Sequence, residues 1–466
     1  MNGMSDRAEA LRQREYIKRI HELPRTGGRK YLVVTFGCQM NERDSEKIAG
    51  ALEEMGYTVA ASEQDADILV YNTCTVRENA DKRLYGRLGV CKQFKSANKD
   101  MIIALCGCMM QEEHVITRIR RSYPYVDIIF GTHNIFKLPE LLYTRLESGS
   151  QIIDIWKDTD EIVEDLPSVR KYPFKTGVNI MFGCNNFCSY CIVPYVRGRE
   201  RSRNPKEIIR EIEGYAADGV VEVMLLGQNV NSYGKGLDSH VTFAELIGEV
   251  AKIDGIRRVR FMTSHPKDLS DELIQTIADN EKIARHIHLP LQSGSDRILH
   301  AMNRHYTRQS YIDLAERIRK EIPDVAITTD IIVGFPGETR EDVDDTIDVI
   351  ERVRYDGAFT FEYSPRTGTP AASMTQLAKE EVQPGFDRVL QTVQRISKEQ
   401  AARFEGRVME VLVEGEDEKD STRYTGRISQ NNVVHFPKDG LKIGEFAQIR
   451  LDECKGFYYN GLVFNG

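Results

Sequence analysis

Long apolar runs are missing from this sequence: none approaches the ~18 residues that a membrane-crossing helix needs. The first twenty residues, MNGMSDRAEALRQREYIKRI, carry charges throughout and no apolar core, so no secretory leader is expected. An excess of positive charge is missing as well. The formal net charge of −8 excludes a uniformly basic field, so any contact with nucleic acid has to come from local patches. A disulfide framework is not expected either. Nine cysteines, an odd number in a long chain without a leader, argue for reduced thiols, some of them ligands. What is present is ordinary: 41% hydrophobic and 29% charged residues over 466 positions describe a globular protein long enough for two to four domains. The expectation is a soluble, cytoplasmic chain with no membrane partner.

Strand and helix alternate from Lys30 to about Gly149. The β-rich runs KYLVVTF (30–36), ILVYNTC (68–74), MIIALCGC (101–108) and VDIIFG (126–131) are each followed by a helical stretch, such as RDSEKIAGALEEMGY or QEEHVITRIRRSYP. This predicts an N-terminal parallel α/β domain over 30–149, after an N-terminal extension of 1–29. Residues 150–176 swing from acidic to basic with two prolines and read as a linker. A second alternation fills 177–400, with strands in GVNIMFG, VVEVMLLG, RRVRFMT, HIHLPL, VAITTDIIVG and GAFTFEY. Six such units predict a central (β/α)6-type partial barrel, with chemistry at the C-terminal edge of its strands. Beyond a helical stretch near 382–404, residues 401–466 predict a small all-β barrel built on VMEVLVEG, YTGRISQ, NNVVHF and FAQIRL. The fold class is therefore α/β with an appended all-β domain.

The stretch GCNNFCSYC (183–191) places Cys184, Cys188 and Cys191 directly after the first strand of the second series, at the mouth of the predicted barrel. Thiolates at this density select zinc or an iron–sulfur cluster. A structural zinc site wants a fourth ligand near by, and the nearest candidates, His240 and His265, lie far along the chain. Three cysteines on a cubane of four irons leave one iron open to another molecule, which is the preferred reading. In the first domain Cys38, Cys74 and Cys108 each stand at or just beyond a strand end, in TFGCQMN, YNTCTVR and CGCMMQ. Three consecutive parallel strands end close together, so these thiolates are expected to converge. Cys106 is the one rival ligand, and Cys108 is preferred. Cys91 and Cys454 read as small buried hydrophobes.

CxxxCxxC with an aromatic, Tyr190, before the last cysteine resembles the radical S-adenosylmethionine superfamily. The resemblance implies that the open iron chelates the amino and carboxylate groups of S-adenosylmethionine, and that one electron then cleaves the sulfonium to give methionine and a 5′-deoxyadenosyl radical. With the first domain and the last, the chain resembles the methylthiotransferase family over nearly its whole length. That family implies an enzyme with two 4Fe-4S clusters: an auxiliary one on Cys38, Cys74 and Cys108, and a radical one on Cys184, Cys188 and Cys191. It also implies a C-terminal TRAM barrel that binds RNA, an electron donor such as flavodoxin or ferredoxin, and a sulfur donor. One S-adenosylmethionine methylates a sulfur carried by the auxiliary cluster, and a second supplies the radical that abstracts the hydrogen. The stretches GCQMNERDSE (37–46), NTCTVRENADKRLYGRLG (72–89) and IVPYVRGRERSR (192–203) look like the tRNA-acting branch that converts isopentenyl-adenosine beside the anticodon to its 2-methylthio form. CMMQ departs from the commoner CMAQ or CLAQ, which bears on packing rather than on ligation. The rivals are the same chemistry on threonylcarbamoyl-adenosine, and a non-catalytic iron–sulfur RNA-binding redox sensor.

Other segments carry weaker expectations. Arg197, Arg199, Arg201 and Arg203 alternate just past the cysteine loop and read as phosphate contacts for an anticodon stem-loop. LLGQNVNSYG, TSHP, LPLQSGS and TDIIVGFPGET each put polar residues or glycines at a strand end, which assigns Gln228, Ser264, Gln292 and Asp330 to the cofactor pocket. The spacing of Gly334, Pro336 and Gly337 fits neither standard nucleotide fingerprint. Ile192, Val193 and Tyr195 are expected near the pocket for the prenyl group. Residues 401–466 hold nine Lys and Arg against eleven Asp and Glu, so RNA binding there requires a one-sided patch. Arg423, Arg427, Lys442 and Arg450 would supply the charge, and Tyr424, His435 and Phe436 the stacking.

Overall fold

The computed structural model describes residues 6–23, 28–76, 78–164 and 166–464. Arg77 of the 72–89 motif, the side chains of 78–80 and parts of the 1–29 extension lie outside the described residues. The chain forms two compact units. The first comprises residues 1–171, 182–185 and 192–203; the second comprises 172–181, 186–191 and 204–466.

The first unit is a six-stranded parallel sheet in the order β2-β1-β3-β4-β5-β6. Its strands are β1 (Lys30–Phe36), β2 (Thr58–Val59), β3 (Ile68–Thr73), β4 (Ile102–Gly107), β5 (Ile128–Phe130) and β6 (Ile152–Asp154). The apolar runs that mark β3 and β4 are buried on both faces, as a helix-covered parallel sheet requires. Val70, Ala104 and Cys106 enter one core; Leu69, Tyr71, Ile103 and Leu105 enter the other. The helices are α1 (Asp6–His21), α2 (Gln39–Glu54), α3 (Glu78–Ala97), α4 (Glu113–Ser122), α5 (Leu138–Ser148) and the short α6 (Val193–Arg197). α1 lies within the extension and buries Ile17 and Ile20 in the first of these cores. β2 and β6, of two and three residues, carry no sequence signal of their own. β6 lies inside the stretch whose composition reads as a linker and pairs with β5 through Ile128 and Ile152.

In the second unit, β7 (Lys175–Asn179), β10 (Glu222–Leu226) and β11 (Arg258–Phe261) form one parallel sheet. β12 (His286–His288), β13 (Ala326–Val333) and β14 (Gly357–Glu362) form another. A parallel bridge, Val259 to Ile283, joins them into a six-stranded open barrel, as the alternation predicted. Two short strands, β8 (Met181–Phe182) and β9 (Arg201–Ser202), flank the cysteine loop in the chain. The outer helices are α7 (Pro205–Ala217), α8 (Phe243–Lys252), α9 (Asp271–Asp279), α10 (Asp296–Ala301), α11 (Arg308–Glu321), α12 (Arg340–Val353) and α13 (Lys379–Ala402). They share a single core with the strands, in which Val223, Leu225, Ile287, Ile327 and Ile331 are wholly buried.

The C-terminal barrel is closed, in the order β15-β16-β17-β19-β18. Its strands are β15 (Val408–Glu416), β16 (Arg423–Ile428), β17 (Val433–Pro437), β18 (Phe446–Cys454) and β19 (Tyr458–Val463). β19, in the glycine- and asparagine-interrupted YYNGLV, had no expectation from the sequence; it closes the barrel by pairing parallel to β17 and antiparallel to β18. This barrel docks on the N-terminal ends of the partial-barrel strands. Arg258 and Arg260 of β11 donate to the main-chain carbonyls of Arg427 (2.9 Å), Ile428 (2.8 Å) and Ser429 (3.0 Å). Glu222, the first residue of β10, accepts from Arg260 at 3.0 Å and lies 3.6 Å from Arg258. Lys175, the first residue of β7, reaches Glu414 at 2.7 Å, and Arg285 N–H donates to Ser429 Oγ.

Candidate functional site

In the first unit the strand register brings three cysteines level. Phe36, Thr73 and Gly107 pair side by side across β1, β3 and β4. Cys38 follows Phe36 by two residues, and Cys74 and Cys108 follow their strand ends by one. Gly107 ends its strand at φ +95°, and a Cβ there would meet Thr73 O at 2.3 Å, so only glycine lets the chain turn Cys108 out of the strand line. Cys106, by contrast, points into the apolar core among Val70 and Ala104. The thiols of Cys38 and Cys74 stand close enough to Cys108 to oppose its ionisation. Burial is the larger effect and pushes the Cys108 thiol up to about 12, against the pull of the Arg197 guanidinium.

The surroundings of these thiols are polar. Asn41 on α2 accepts from the Cys38 thiol at 3.4 Å and donates to Asn72 Oδ1 and Thr73 O. Arg197, at the end of α6, donates from Nε to Cys108 Sγ at 3.2 Å, from Nη2 to Asn41 Oδ1 at 3.1 Å, and pairs with Asp44 at 3.0 Å. Ile192 and Val196 pack on Cys108. The reading of Arg197 and Arg203 as phosphate contacts is therefore overturned. Arg197 is only 5% exposed, Arg203 is buried against Glu164, and Arg201 donates to Thr159 O. Arg199 and Tyr195 are exposed. Asn41 and Asp44 were missed as site residues, and Arg197 was read as a phosphate contact rather than as a partner of Cys108. The only hint was the spacing of Asn41 and Asp44, which puts both on one face of α2 just past Cys38.

Along the chain, the residues of the cysteine loop are divided between the units. Cys184 belongs to the first, where its N–H donates to Gly198 O and Gly183, at φ +75°, has Arg199 O where a Cβ would stand. Cys188 and Cys191 belong to the second. There Arg304 donates to Cys188 Sγ at 3.3 Å, to Pro290 O and to Tyr306, and is itself buried. Asn303 holds the loop carbonyls of Asn186 and Phe187, while Ser189 bonds to Met302 and Ala301. Arg304 and Asn303 come from a turn after α10 that carries no local motif, and the sequence reading missed them. Phe187, Thr263, Gln292 and Asn303 all take positive φ without being glycine, Thr263 as a β-branched residue. Such strain gathers where a fold is shaped for ligand.

The strand ends of the partial barrel present buried polar atoms that the protein leaves without partners. They include Ser264 Oγ, Asn229 Oδ1, both amide atoms of Asn231, and His265 Nε2. Burial, with Arg304 next, drives the His265 pKa down to about 2, so the imidazole is neutral. Its Nδ1 accepts from Lys267 N–H, which leaves the proton on Nε2. Unsatisfied buried donors and acceptors at this density suit a polar ligand with amino, carboxylate and hydroxyl groups. Ser264 stands in this group and Gln228 follows the end of β10; Gln292 bridges to β13 through Asp330 O and Ile332 N, and Asp330 lies 3.3 Å from His288. Among the described residues, no three of His, Cys, Asp and Glu stand in the tight arrangement that grips a single metal ion. Cluster ligands stand farther apart, because each holds a different iron.

In the C-terminal barrel, Phe436 is wholly buried in the core and is not a stacking residue. Its neighbours along β17 alternate in and out, which fixes its inward direction. Arg423 and Arg427 donate to His435 O and Asn431 O, and Arg450 pairs with Asp452. The exposed aromatics are Phe457, Tyr458 and Phe464, on or beside the strand the sequence did not reveal.

Known proteins resemble each part of this chain. Residues 178–350 match the Radical SAM superfamily, residues 30–131 the Uncharacterized protein family UPF0004, and residues 402–464 the TRAM domain. The chain is 58% identical over 430 residues to the tRNA-2-methylthio-N(6)-dimethylallyladenosine synthase of Lachnoclostridium phytofermentans, covering 92% of this chain and 94% of the relative. The proteins of the same name from Alkaliphilus oremlandii and Clostridioides difficile are each 50% identical, covering 99% and 97% of this chain and 99% and 96% of theirs. Among solved structures, the radical S-adenosylmethionine methyltransferase TsrM of Kitasatospora setae, with cobalamin and a 4Fe-4S cluster bound, shares the fold at a TM-score of 0.54 and 14% identity, over 74% of each chain. Half or more of all positions are identical along nearly the full length of three relatives that share one name, and on that ground the chain belongs to the tRNA-2-methylthio-N(6)-dimethylallyladenosine synthase family of radical S-adenosylmethionine enzymes.

Proposed function

We propose that this chain performs its family's reaction with two 4Fe-4S clusters, one held by Cys38, Cys74 and Cys108 and the other by Cys184, Cys188 and Cys191. The chain is a radical S-adenosylmethionine methylthiotransferase that acts in tRNA modification. What carries the two-cluster reading is the level register of three strand-end thiols in the first unit, separate from the CxxxCxxC loop. When bound, the clusters and S-adenosylmethionine supply an adenosyl radical, a sulfur and a methyl group.

The chain's own residues hold and orient. Burial keeps the Cys108 proton in place until a metal displaces it, so ligation there releases a proton. Arg304 and Asn303 fix the loop that presents Cys188 and Cys191. Gln228, Ser264, Gln292 and Asp330, with the amide of Asn231 and Nε2 of His265, line the S-adenosylmethionine pocket. Phe359, 58% exposed beside the His288–Asp330 pair, offers apolar surface for the prenyl group of an isopentenylated adenosine in an anticodon stem-loop. Five carbons are worth a few kcal/mol at about 0.8 kcal/mol per buried methylene. That term also holds the target carbon in line, so turnover should suffer with binding when it is lost. A flavodoxin- or ferredoxin-like electron donor and a sulfur donor complete the system, in the cytoplasm where tRNA is processed. No helix among the described residues is long and apolar enough to cross a membrane.

The test offers matched anticodon stem-loops bearing unmodified, isopentenyl or threonylcarbamoyl adenosine, and counts methylthio product by nucleoside mass spectrometry. Product is expected from the isopentenyl loop. Comparable product from either of the others overturns the substrate assignment.

A further inference from the structure

We propose that Arg197 and Asp44 together set the charge, and through it the reduction potential, of the cluster held by Cys38, Cys74 and Cys108. The inference rests on the two-cluster reading and adds a function for two residues that hold no iron themselves. Arg197 is buried, and its guanidinium donates to Cys108 Sγ at 3.2 Å and to Asn41 Oδ1 at 3.1 Å and stands at ion-pair distance, 3.0 Å, from Asp44 Oδ2. Neither end of the ion pair reaches solvent, since Arg197 and Asp44 are each 5% exposed. An arginine keeps its charge under such burial, where a lysine gives it up readily. Burial opposes the Arg197 charge, but Cys108 and Asp44 outweigh it.

The physical consequence is electrostatic. A cluster on three thiolates gains one more negative charge when reduced, so a fixed cation against a ligand sulfur favours the reduced form over the oxidised one. A hydrogen bond to that sulfur acts in the same direction. Asp44 opposes both, because its carboxylate lies on the same guanidinium and lowers the net charge that the sulfur feels. The pair is therefore a graded device: Arg197 raises the potential and Asp44 holds it down. The other arginine that touches a loop cysteine, Arg304, has no carboxylate within ion-pair distance among the described residues. The auxiliary site thus carries a counter-charge that the Cys188 site lacks. Simple packing of α6 against the sheet would not require a carboxylate, a guanidinium and a thiol in mutual contact; an apolar side chain of the same volume would fill the space at lower desolvation cost.

The experiment uses the full chain with Cys184, Cys188 and Cys191 replaced by Ala, reconstituted with iron and sulfide, so that a single cluster remains. Its midpoint potential is titrated with dithionite and mediators and read by electron paramagnetic resonance. In that background Arg197→Gln is expected to lower the reduced-to-oxidised ratio at fixed potential about tenfold, which is ~59 mV for one electron. Asp44→Asn is expected to move it by a similar factor in the opposite direction. Arg197→Lys should shift it less than Arg197→Gln does. Should Arg197→Gln fail to retain iron, Asp44→Asn, which leaves the arginine in place, decides by its sign. Ratios within threefold of the parent in both variants, or both moving the same way as a packing defect would move them, overturn the proposal. A parent chain that binds no iron at all overturns the two-cluster reading instead, and the proposal falls with it.

Discussion

Replacing Glu222 with Ala should release the C-terminal barrel from the partial barrel. Among the described residues, Glu222 is the one carboxylate within ion-pair distance of Arg260, at 3.0 Å, and it shares Arg258 at 3.6 Å with the half-exposed Glu410. Both arginine side chains are 4% exposed. Their remaining polar contacts are the main-chain carbonyls of Glu410 and of residues 427–429, which satisfy hydrogen bonds but carry no full charge, and Arg258 also lies over the Phe446 ring. Breaking a buried pair by removing one partner costs about 3–5 kcal/mol. Two guanidiniums left side by side put this case near the upper part of that range. Undocking relieves the cost by returning both arginines to water, so the loss should appear as local opening of the interface. Amide hydrogen exchange at Arg427–Ser429 reads that opening, and ~4 kcal/mol corresponds to roughly a thousandfold loss of protection. Glu410→Ala, which removes a solvent-screened partner, should cost no more than about 1 kcal/mol. Burial favours the neutral form of Glu222, but Arg260 and Arg258 outweigh it and hold its pKa below the ordinary value. The latch therefore contributes fully above the unfolded carboxylate range, near pH 4.3, and fades as pH falls below it. Less than a tenfold change in protection for Glu222→Ala, or equal losses in the Glu222 and Glu410 variants, would refute this reasoning.

Replacing Cys184, Cys188 and Cys191 with Ala should abolish 5′-deoxyadenosine formation and halve bound iron; reductive cleavage that persists would rule out this loop as the radical site. Replacing Cys38, Cys74 and Cys108 with Ala should leave 5′-deoxyadenosine formation intact and eliminate methylthio product, and full product would show that the sulfur comes from elsewhere. Burial pushes the Glu338 carboxyl up to about 7 from an ordinary 4.5, so the folded state binds the extra proton and stability should fall as pH climbs between those values, then level off. Glu338 is only half-buried, and solvent screening reduces the roughly 3 kcal/mol implied by the shift to about 1–2 kcal/mol. Urea midpoints at pH 5 and pH 8 should therefore converge in Glu338→Gln, and an unchanged pH slope in that variant would sink the assignment.

The architecture was legible wherever a strand carried its own pattern. The runs that became β1, β3 and β4, and all six partial-barrel strands, are long or apolar enough to declare themselves. β2 and β6 are too short, and β19 reads as loop because Asn460 and Gly461 interrupt it. The cysteines were legible as strand-end residues, since a period and a turn place them. Their partners were not. The alternating arginines after the loop look like a solvated face, because sequence shows the charge and hides what meets it. Arg203 meets Glu164, 39 residues away, and Arg197 meets Cys108 and Asn41, 89 and 156 residues away. A similar limit misplaced Phe436, whose direction depends on which face of β17 the barrel turns inward. Buried charge is set by tertiary neighbours, and no local window contains them.

The docking of the C-terminal barrel makes the second unit a ruler. Cys188, Ser264 and Gln292 lie past the C-terminal ends of the strands, whereas Lys175, Glu222 and Arg258, which hold the C-terminal barrel, are the first residues of β7, β10 and β11. Those strands have four or five residues, which at ~3.3 Å per residue separates their two ends by about 13–17 Å. An RNA that engages both ends must cover that span along the outside of the unit. For such an RNA, reach would be a variable independent of base sequence, and two RNAs alike in the modified nucleotide but different in helix length would be distinguished by it.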